Sequence, residues 1–175
     1  MREASAGHSV VVKPLFGSQG KGLQRVGSVD GALVPLTALD ASCGSLYYLQ
    51  RFIAPTEQPG FDWRVLVVGG RAVAAMRRVS EHWIHNLAQG ARSLPAPLTP
   101  VLASLAERAA RALEMDYAGV DLMPGPVAGE IQVVEVNGVA AWQGLQRVTG
   151  FNIARCIVDD LFERRLVRAM PARQA

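Results

Sequence analysis

A pair of apolar segments joined by two glycines constrains this chain more than any other feature. Residues 61–79 read FDWRVLVVGGRAVAAMRRV, in which runs rich in Val and Ala flank Gly69 and Gly70. Such a Gly-Gly pair favours the tight turn of a β-hairpin, because glycine readily adopts the positive φ angles that these turns require. The sequence therefore predicts an antiparallel sheet near the middle of the chain.

The other predicted elements add up to an α+β fold. A helix is predicted over residues 98–115, where Thr99 can cap the first turn and Pro100 suits the first helical position. Its predicted apolar stripe consists of Leu102, Leu105, Ala106, Ala109 and Leu113. A closing helix is predicted over 152–170, and a helix or broken helix containing Pro35 over 29–42. Strands are predicted at 10–12, 23–26, 45–53, 117–123 and 131–137. Because hairpins outnumber strand-helix alternations, we expect antiparallel sheets with packed helices and no doubly wound parallel sheet.

Composition narrows the class of function. The chain has 175 residues, of which 50% are hydrophobic and 19% charged, as in globular proteins. Its net charge of +3 comes without a strongly basic cluster, so it suits an anionic ligand and we expect no nucleic-acid partner. No secretion signal or long apolar run is present, so we expect no membrane partner and a cytoplasmic location. Cys43 and Cys156 lack metal or redox spacing and are interpreted as reduced, buried thiols.

A glycine-rich segment, KPLFGSQGKG at 13–22, is the first candidate binding site. It is neither a Walker A loop nor a dinucleotide fingerprint, because no Gly-Lys-Ser/Thr follows and the segment leads into a strand. Backbone N–H groups of such a hairpin tip can still approach phosphate oxygens, and Lys13 would supply a positive charge. A plain flexible hairpin tip would explain the loop by itself equally well.

Three oxygen-bearing side chains form a candidate metal site. Asp121 and Glu135 lie on two predicted neighbouring strands, and Asn137 shares the face of Glu135 because side chains alternate with a period of two. Two carboxylates and an amide suit Mg²⁺ or Mn²⁺ better than zinc. Like charges held this close are costly unless a cation or a proton lies between them. Two exposed acids on an edge hairpin remain the simpler alternative.

Six segments resemble the ATP-grasp superfamily in order and spacing. They are VVVKPLFGSQGKG, LQRFI, DWRVLVVGGRAVAAMRR, WIHNLAQGA, AGVDLM and VVEVNGVAAWQGLQRVTGFNIA, and the resemblance covers about residues 9–160. The chain is most similar to RimK-type α-L-glutamate ligases, and NGVAAWQGLQRVTG resembles members linked to tetrahydromethanopterin and C1 metabolism. The resemblance implies an incomplete ATP-grasp fold that lacks the N-terminal pre-grasp domain. Residues 1–54 would belong to the nucleotide-binding lid subdomain, and 55–175 to the subdomain with the metal site.

Roles for individual residues are implied by the same resemblance. Lys13 would reach the ATP phosphates beneath residues 17–22, which we call the flap. Asp121, Glu135 and Asn137 would bind Mg²⁺ or Mn²⁺. The other implied ATP contacts are Gly17, Ser18, Gln19 and Gly20 in the flap, Arg51, Phe52 and Ile53 at adenine, Asp62 near the ribose and Asn86 near the triphosphate. The catalytic residues facing phosphate or acyl-phosphate would be Arg64 and Arg77, or Arg78 in place of Arg77.

The implied reaction is an ATP-dependent ligation that passes through an acyl-phosphate. Its partners would be a small-molecule carboxylate acceptor and an amino acid, usually glutamate. A second copy of the chain could cover open sheet edges as a homodimer. The alternative is a shortened, catalytically inactive module for nucleotide binding or dimerisation.

The chain departs from the RimK-type pattern at the expected adenine contact and near the expected substrate. Arg51 stands where a glutamate is usual, so adenine would rest on backbone contacts. Ile84 stands where an arginine is usual, with His85 beside it, which removes a positive charge near the substrate. Trp142 lies in the loop after Asn137 and could stack on a flat ring.

The remaining candidates have ordinary structural explanations. The histidines His8, His82 and His85 lack ligand spacing and are interpreted as surface or capping residues. Tyr47 and Tyr48 are interpreted as core and edge residues, and Trp63 should pack on the face opposite Arg64. The arginines at 164–168 are interpreted as the solvated face of the last helix. MREASAG resembles the last turn of a helix, so we expect relatives to have residues before it.

Overall fold

Two antiparallel sheets form the framework of the computed structural model, which describes residues 9–29, 32–35 and 46–166. The first sheet has the strand order β3-β2-β1-β4, with β1 Ser9–Pro14, β2 Gln24–Val29, β3 Ala32–Val34 and β4 Tyr47–Arg51. The second has the order β7-β6-β5-β8-β9, with β5 Gly60–Val68, β6 Arg71–Ser80, β7 Arg92–Ala96, β8 Tyr117–Pro124 and β9 Ile131–Asn137. The helices are α1 Pro100–Ala112, α2 Gln143–Gln146 and α3 Ile153–Asp160, with a 3₁₀ turn at Leu87–Gln89 and a π turn at Leu161–Leu166. The predicted α+β class is confirmed.

The glycine pair forms the predicted hairpin turn between β5 and β6. Val68 pairs with Arg71, and the two residues between them, Gly69 and Gly70, have φ angles of 60° and 75°. Positive φ at both central residues is the geometry of a type I′ turn, whose twist matches that of the flanking strands. This hairpin is the centre of the second sheet, since β8 pairs with the other edge of β5.

Helix α1 covers one face of the second sheet. Thr99 accepts a hydrogen bond from the Leu102 amide, and Pro100 occupies the first turn, as predicted. The core on this face joins Val65, Val67, Ala75, Ala118, Val120 and Leu122 of the sheet to Leu102, Ala106 and Ala110 of the helix. The predicted stripe is wrong at Leu113, which is exposed because the helix ends at Ala112.

The other face of the second sheet is apolar at one end and charged at the other. Leu66, Val68 and Met76 pack with Leu145 of α2 and Ile153 of α3. Further along the same face lie Asp62, Arg64, Arg78 and Asp121, as the strand registers require. The apolar end anchors the two short helices.

Several predicted elements differ from the structure. The predicted helix over 29–42 is wrong at Val29, which ends β2, and at Ala32–Val34, which pair with β2. Residues 30–31 and 36–42 lie outside the described residues. Neither β7 nor α2 was predicted. Residues 1–8 and Cys43 also lie outside the described residues, and Cys156 is a free thiol that is half-buried. The division into 1–54 and 55–175 stays a prediction.

The end of the last helix is docked on the sheet. Arg164, expected on a solvated face, is half-buried and donates a 2.6 Å hydrogen bond to the carbonyl of Gly69. It also pairs with Asp160 at 2.8 Å. Within the described part of the chain, no helix has the length and apolar character needed to cross a membrane.

Candidate active site

Lys13 of the first sheet lies within the electrostatic reach of two acids of the second sheet. It sits on β1 and is half-buried, and burial lowers the pKa of its ammonium. The charges of Glu135 and Asp121 oppose that lowering. Charges act on one another noticeably only where little bulk water screens them, so the surroundings of these three side chains are the candidate active site.

The two predicted acidic ligands are direct partners across the β8–β9 hairpin. Asp121 pairs with Glu135, while a β-bulge after Asp121 makes Leu122 pair with Val133. Val134 is therefore the extra residue, and the bulge moves Glu135 opposite Asp121. Asn137, two residues on, pairs with Gly119. The predicted convergence of these three residues on one face of the hairpin is confirmed in register.

The donor atoms of this set fit a hard divalent cation. Glu135 is exposed, and Asn137 donates its amide nitrogen to the carbonyl of Gly119 at 3.4 Å, which leaves Oδ1 as the atom available for a ligand. A carboxylate offers about four acceptor positions, so Asp121 keeps one beyond its contacts with two arginines. Among the described residues no group of three or more His, Cys, Asp or Glu side chains could hold a metal ion. A metal ion at this position would therefore need Oδ1 of Asn137 and oxygen atoms of a bound substrate as ligands, in addition to the two carboxylates.

Two arginines compensate the charge of Asp121. Arg64 donates from Nε to Oδ1 and from Nη2 to Oδ2, the latter at 2.9 Å, and Arg78 Nη2 lies 2.9 Å from Oδ2. The Asp121 side chain is only 6% exposed. The positive charge expected between the two acids is therefore partly supplied by Arg64 and Arg78. The spacing of the residues in the sequence did not reveal this role.

Asp62 forms the far end of this charged cluster. Arg78 donates to its two oxygens from Nε at 2.7 Å and from Nη2 at 2.6 Å. Burial opposes the charge of Arg78, but the carboxylates of Asp62 and Asp121 outweigh it and raise the pKa of the guanidinium. The order of charges is therefore Asp62, Arg78, Asp121, Arg64, with alternating sign.

Arg77 is not brought to this cluster. It pairs with Trp63 in the register, on the face that carries α1, whereas Arg64 and Arg78 lie on the opposite face. Its guanidinium stacks 3.6 Å above the ring of Phe61, and its nearest acid is Glu57 at 3.9 Å. Trp63 packs beside the α1 core, which confirms that it lies opposite Arg64.

The interpretation of His85 as a surface residue is wrong. Its side chain is 6% exposed, and Nδ1 lies 3.9 Å from Asp62 Oδ2. Nε2 is buried and has no hydrogen-bond partner in the described part of the chain. Burial, together with the charge of Arg78, lowers the pKa of His85 to about 4, so the imidazole is neutral at pH 7. His82 is exposed, as expected.

The flap rests on the segment that follows β6. Gln89 donates from Nε2 to the carbonyl of Gln19 at 3.2 Å. Gly20 has φ +74°, and a Cβ at this position would lie 2.6 Å from Oδ1 of Asn86. Only glycine combines this backbone angle with this close approach. Asn86, a predicted phosphate contact, is thereby placed beside Gly20 of the flap. Gly17, Ser18 and Gln19 lie in the same tip, where Gln19 also has a positive φ of 58°.

The predicted adenine linker begins where β4 ends. Arg51 is the last residue of the strand and is exposed. The amide of Phe52 donates to the carbonyl of Ser9 at 2.9 Å, so it is occupied by the sheet. The Phe52 ring meets Trp83 edge-on at 6.0 Å and lies 3.8 Å from the guanidinium carbon of Arg25. Adenine would have to use Ile53 or the carbonyl groups of the linker.

The remaining aromatic candidates are placed as follows. Tyr47 packs against the core of the first sheet, whereas Tyr48 is exposed, which confirms their interpretation as core and edge residues. Trp142 packs partly against the core beneath α2 and α3. A separate groove of about 480 Å³ lies between α1 and β9, on the face away from Asp121.

A model of the RimK-like ATP-grasp domain matches residues 3–161 of the chain. The chain belongs to the RimK-like ATP-grasp family. The tetrahydromethanopterin:alpha-L-glutamate ligase of Methanococcus maripaludis is 35% identical over 153 residues, which are 86% of this chain and 51% of that protein. The alpha-aminoadipate–LysW ligase LysX of Saccharolobus solfataricus is 29% identical over 161 residues, 90% of this chain and 57% of that protein. This RimK-like chain thus spans about half the length of the curated relatives that it matches.

Solved structures agree on the fold. The ATP-grasp ligase PsnB, complexed with a phosphomimetic variant of its minimal precursor, Mg and ADP, has a TM-score of 0.67 at 19% identity, covering 92% of this chain and 48% of PsnB. The D-cycloserine synthetase DcsG has a TM-score of 0.59 at 19% identity, with 91% and 57% covered. The RimK-like chain therefore has an ATP-grasp fold, as the sequence motifs implied.

Some parts of the site were missed by sequence reasoning in this RimK-like chain. The pairing of Arg78 with Asp62 and Asp121 and the burial of His85 were not anticipated. One signal was available: Asp62 and Arg64 share a face of β5 by the period of two, next to Arg77 and Arg78 across a hairpin with a two-residue turn. Regular pairing counted from Gly69 and Gly70 would place Arg77 opposite Asp62. The β-bulge between Leu66 and Val67 shifts the register by one residue and puts Arg78 on this face instead.

Proposed function

We propose that this RimK-like chain binds ATP with a divalent metal ion and forms the catalytic part of a ligase that joins a carboxylate to the amine of glutamate. The proposal is supported by the pairing of Asp121 with Glu135 across β8 and β9, together with the electrostatic influence of both acids on Lys13 of the first sheet. A lysine near a pair of acids would suit a triphosphate together with a divalent metal ion that balances its charge. Family membership and the names of the relatives support the same chemistry.

Lys13 and the flap bind the phosphates. The partly buried ammonium of Lys13 supplies a positive charge, and burial strengthens its interaction with an anion because the local dielectric is low. The flap contributes backbone N–H groups, which its glycines allow to approach phosphate oxygens closely. The contact of the flap with Asn86 and Gln89 holds it over the second sheet.

Asp121, Glu135 and Oδ1 of Asn137 hold the divalent ion, Mg²⁺ or Mn²⁺. When bound, the ion neutralises phosphate charge and orients the transferred phosphoryl group. Arg64 and Arg78 fix Asp121 in a single orientation on the floor of the site. We assign charge stabilisation to Arg64 and Arg78, because Arg77 faces α1.

The proposed reaction has two steps that need no side-chain nucleophile. An oxygen of the acceptor carboxylate attacks the γ-phosphorus of ATP, the bond to the ADP oxygen breaks, and an acyl-phosphate forms. The glutamate amine then attacks the acyl carbon, phosphate leaves, and the amine releases a proton to solvent. The residues named above accelerate both steps by positioning reactants and stabilising developing negative charge.

The identity of the acceptor varies among the relatives. Several are named alpha-L-glutamate ligases, which supports glutamate as the amine, whereas LysX is named for alpha-aminoadipate and LysW. Ile84 replaces the arginine that the RimK-type pattern leads one to expect, so we infer an acceptor less acidic at that point. A panel of carboxylates with different net charges tests this part of the proposal.

A thermal-shift titration with Mg²⁺ and ATP tests the binding step. At 100 times the dissociation constant the ligand should stabilise the chain by about 2.7 kcal/mol. Lys13→Met should lose most of that shift, because the phosphates lose their cation. Arg108→Gln is the matched control, since Arg108 is an exposed cation of α1 on the opposite side of the sheet. Absence of a shift in the parent chain would refute the proposal.

ADP release distinguishes the ligase from an inactive nucleotide-binding module. The parent chain is incubated with Mg²⁺, ATP, glutamate and the carboxylate panel, and ADP is measured with and without each component. A ligase releases ADP only when an acceptor carboxylate is present. Nucleotide binding without ADP release on any acceptor would support the inactive module instead.

A further inference from the structure

We infer that Asp62 is a positioning residue for the metal site, acting through Arg78 on Asp121. This inference rests on the proposed function, because it concerns the binding of the metal ion. It replaces the expectation that Asp62 contacts the ATP ribose. The inference follows from the contacts of Asp62 in three steps.

The first step is that both oxygens of Asp62 are bound by the protein. Both of its oxygens accept hydrogen bonds from one guanidinium, at 2.7 Å and 2.6 Å, in the side-on geometry that makes Arg–carboxylate pairs directional. Its side chain is 14% exposed. A ribose hydroxyl would have to reach a carboxylate that is largely buried and already binds a guanidinium through both oxygens.

The second step is that the same guanidinium continues to Asp121. Arg78 Nη2, which bonds Asp62 Oδ2, also lies 2.9 Å from Asp121 Oδ2, and the Arg78 side chain is 5% exposed. The planar guanidinium of Arg78 therefore holds the carboxylates of Asp62 and Asp121 in a row with itself. Because Asp62 binds two nitrogens of this guanidinium and fixes its orientation, Arg78 can donate to Asp121 from only one nitrogen. An acceptor position of the Asp121 carboxylate therefore stays open.

The third step is that Asp62 is also enclosed by the segment of His85. Nδ1 of His85 lies 3.9 Å from Asp62 Oδ2, and the imidazole is buried. Gly60 lies against the ring so closely that an added Cβ would be 3.0 Å from Nε2 and 3.0 Å from Cγ of Pro55. This packing keeps Asp62 in place and restricts the access of solvent or ligand to it.

The charge balance of the row gives the expected effect of removing Asp62. Asp62 and Asp121 carry two negative charges, and Arg64 and Arg78 carry two positive charges. Without the charge of Asp62 the row becomes net positive, and Arg78 is free to rotate onto Asp121. Both changes disfavour a divalent cation at Asp121, whereas neither alters Lys13 or the linker.

The experiment measures Mn²⁺ binding by electron paramagnetic resonance in the presence of a non-hydrolysable ATP analogue. Asp62→Asn should raise the Mn²⁺ dissociation constant tenfold or more, the range seen when groups supporting metal ligands are removed. Its affinity for the analogue without metal should match that of the parent. Asp159→Asn, at an exposed acid of α3, is the control and should leave both values unchanged.

Two further variants test whether Asp62 acts on the metal site through Arg78 and Asp121. Arg78→Lys keeps the charge but cannot bridge two carboxylates with a planar fork, so it should weaken Mn²⁺ binding in the same way. In an Asp121→Asn background, Asp62→Asn should cause no additional loss, because its effect runs through Asp121. Arg78→Lys also replaces Asp62→Asn as the test if the latter does not fold.

The outcomes separate this inference from the proposed function. If the parent does not bind Mn²⁺ with the analogue, the proposed function fails and the inference falls with it. If the parent binds but Asp62→Asn or Arg78→Lys binds Mn²⁺ equally well, the inference alone is overturned. It is also overturned if Asp62→Asn lowers the metal-free affinity for the analogue and abolishes the preference for ATP over 2′-deoxy-ATP, since this would indicate a ribose contact.

Discussion

At the scale of single residues, burial decides what the polar side chains of this chain can do. His82 and His85 are three positions apart, yet one is exposed and the other lies against Asp62 beneath Gly60. A buried imidazole near a guanidinium resists protonation, because the charged form loses solvation and meets a like charge. The same environment raises the pKa of Asp62 to about 6 through burial, against the opposing effect of Arg78.

These shifts predict how stability depends on pH. The pKa of His85 is lowered to about 4, so between about pH 4 and 6.5 the unfolded chain binds more protons at this residue, and stability rises with pH. The raised pKa of Asp62 acts in the opposite direction between about pH 4 and 6. His85→Asn should remove the rising contribution, which is on the order of 1–3 kcal/mol.

Urea unfolding of the parent and His85→Asn at several pH values measures this contribution. As the pH rises from 4 to 6.5, the free energy of unfolding of the parent should increase relative to that of His85→Asn. His82→Asn, at the exposed histidine, should follow the parent throughout. Parallel pH profiles for the parent and His85→Asn would show that the buried imidazole does not resist protonation.

At the scale of elements, the flap depends on a single close approach. Gly20 combines φ +74° with the contact to Asn86, whereas a Cβ at Gly17 would lie at 3.5 Å from its nearest neighbour, an ordinary van der Waals distance. The two glycines therefore differ in the cost of substitution although they belong to the same short loop. The difference offers a matched pair of variants.

Gly20→Ala should weaken ATP binding about tenfold, whereas Gly17→Ala should have little effect. Alanine at Gly20 must either adopt a strained backbone, at about 1–2 kcal/mol, or push the flap away from Asn86. About 1.4 kcal/mol corresponds to a tenfold change in affinity. Isothermal titration with Mg²⁺ and ATP checks both variants, and equal affinities would show that the flap does not need this contact to bind the phosphates.

At the scale of the whole molecule, the two sheets meet through few direct contacts in the described residues. These include the hydrogen bond from Gln89 to Gln19 and the edge contact between Phe52 and Trp83. The charged groups, in contrast, face each other from both sheets, with Lys13 on one side and Asp121 and Glu135 on the other. A ligand held by both sets of residues would therefore join the sheets more strongly than the protein contacts alone.

Hydrogen–deuterium exchange should reveal this bridging. Mg²⁺ and ATP together should slow exchange in the flap, in the segment of Asn86 and in β9, because these regions come from both sheets and border the site. The exposed side of α1 should not change, since it lies across the second sheet. Protection confined to the first sheet would contradict a ligand shared between the two.

Local pattern was sufficient for much of the fold. The β5–β6 hairpin, α1 with its Thr99 cap, and the β8–β9 hairpin follow from turn glycines, capping residues and side-chain alternation, which act over a few neighbouring residues. Ala32–Val34 were missed because three residues carry too little periodicity, and pairing with β2 decides their conformation. β7 was missed because Pro95 argues against a strand, yet it lies on the sheet edge, where proline is tolerated.

The sequence alone determined which residue types are present for the proposed chemistry: a lysine before a glycine-rich tip, two acids and an amide at fixed spacing, and no side-chain nucleophile set. Only the tertiary structure decided which of them meet. The bulge after Asp121, the bulge after Leu66 that brings Arg78 instead of Arg77 to the face of Arg64, and the burial of Asp62 and His85 depend on how the strands pair and pack in the assembled sheet. Register and burial are set by the packing of whole elements, and a shift by one residue turns every side chain to the other face.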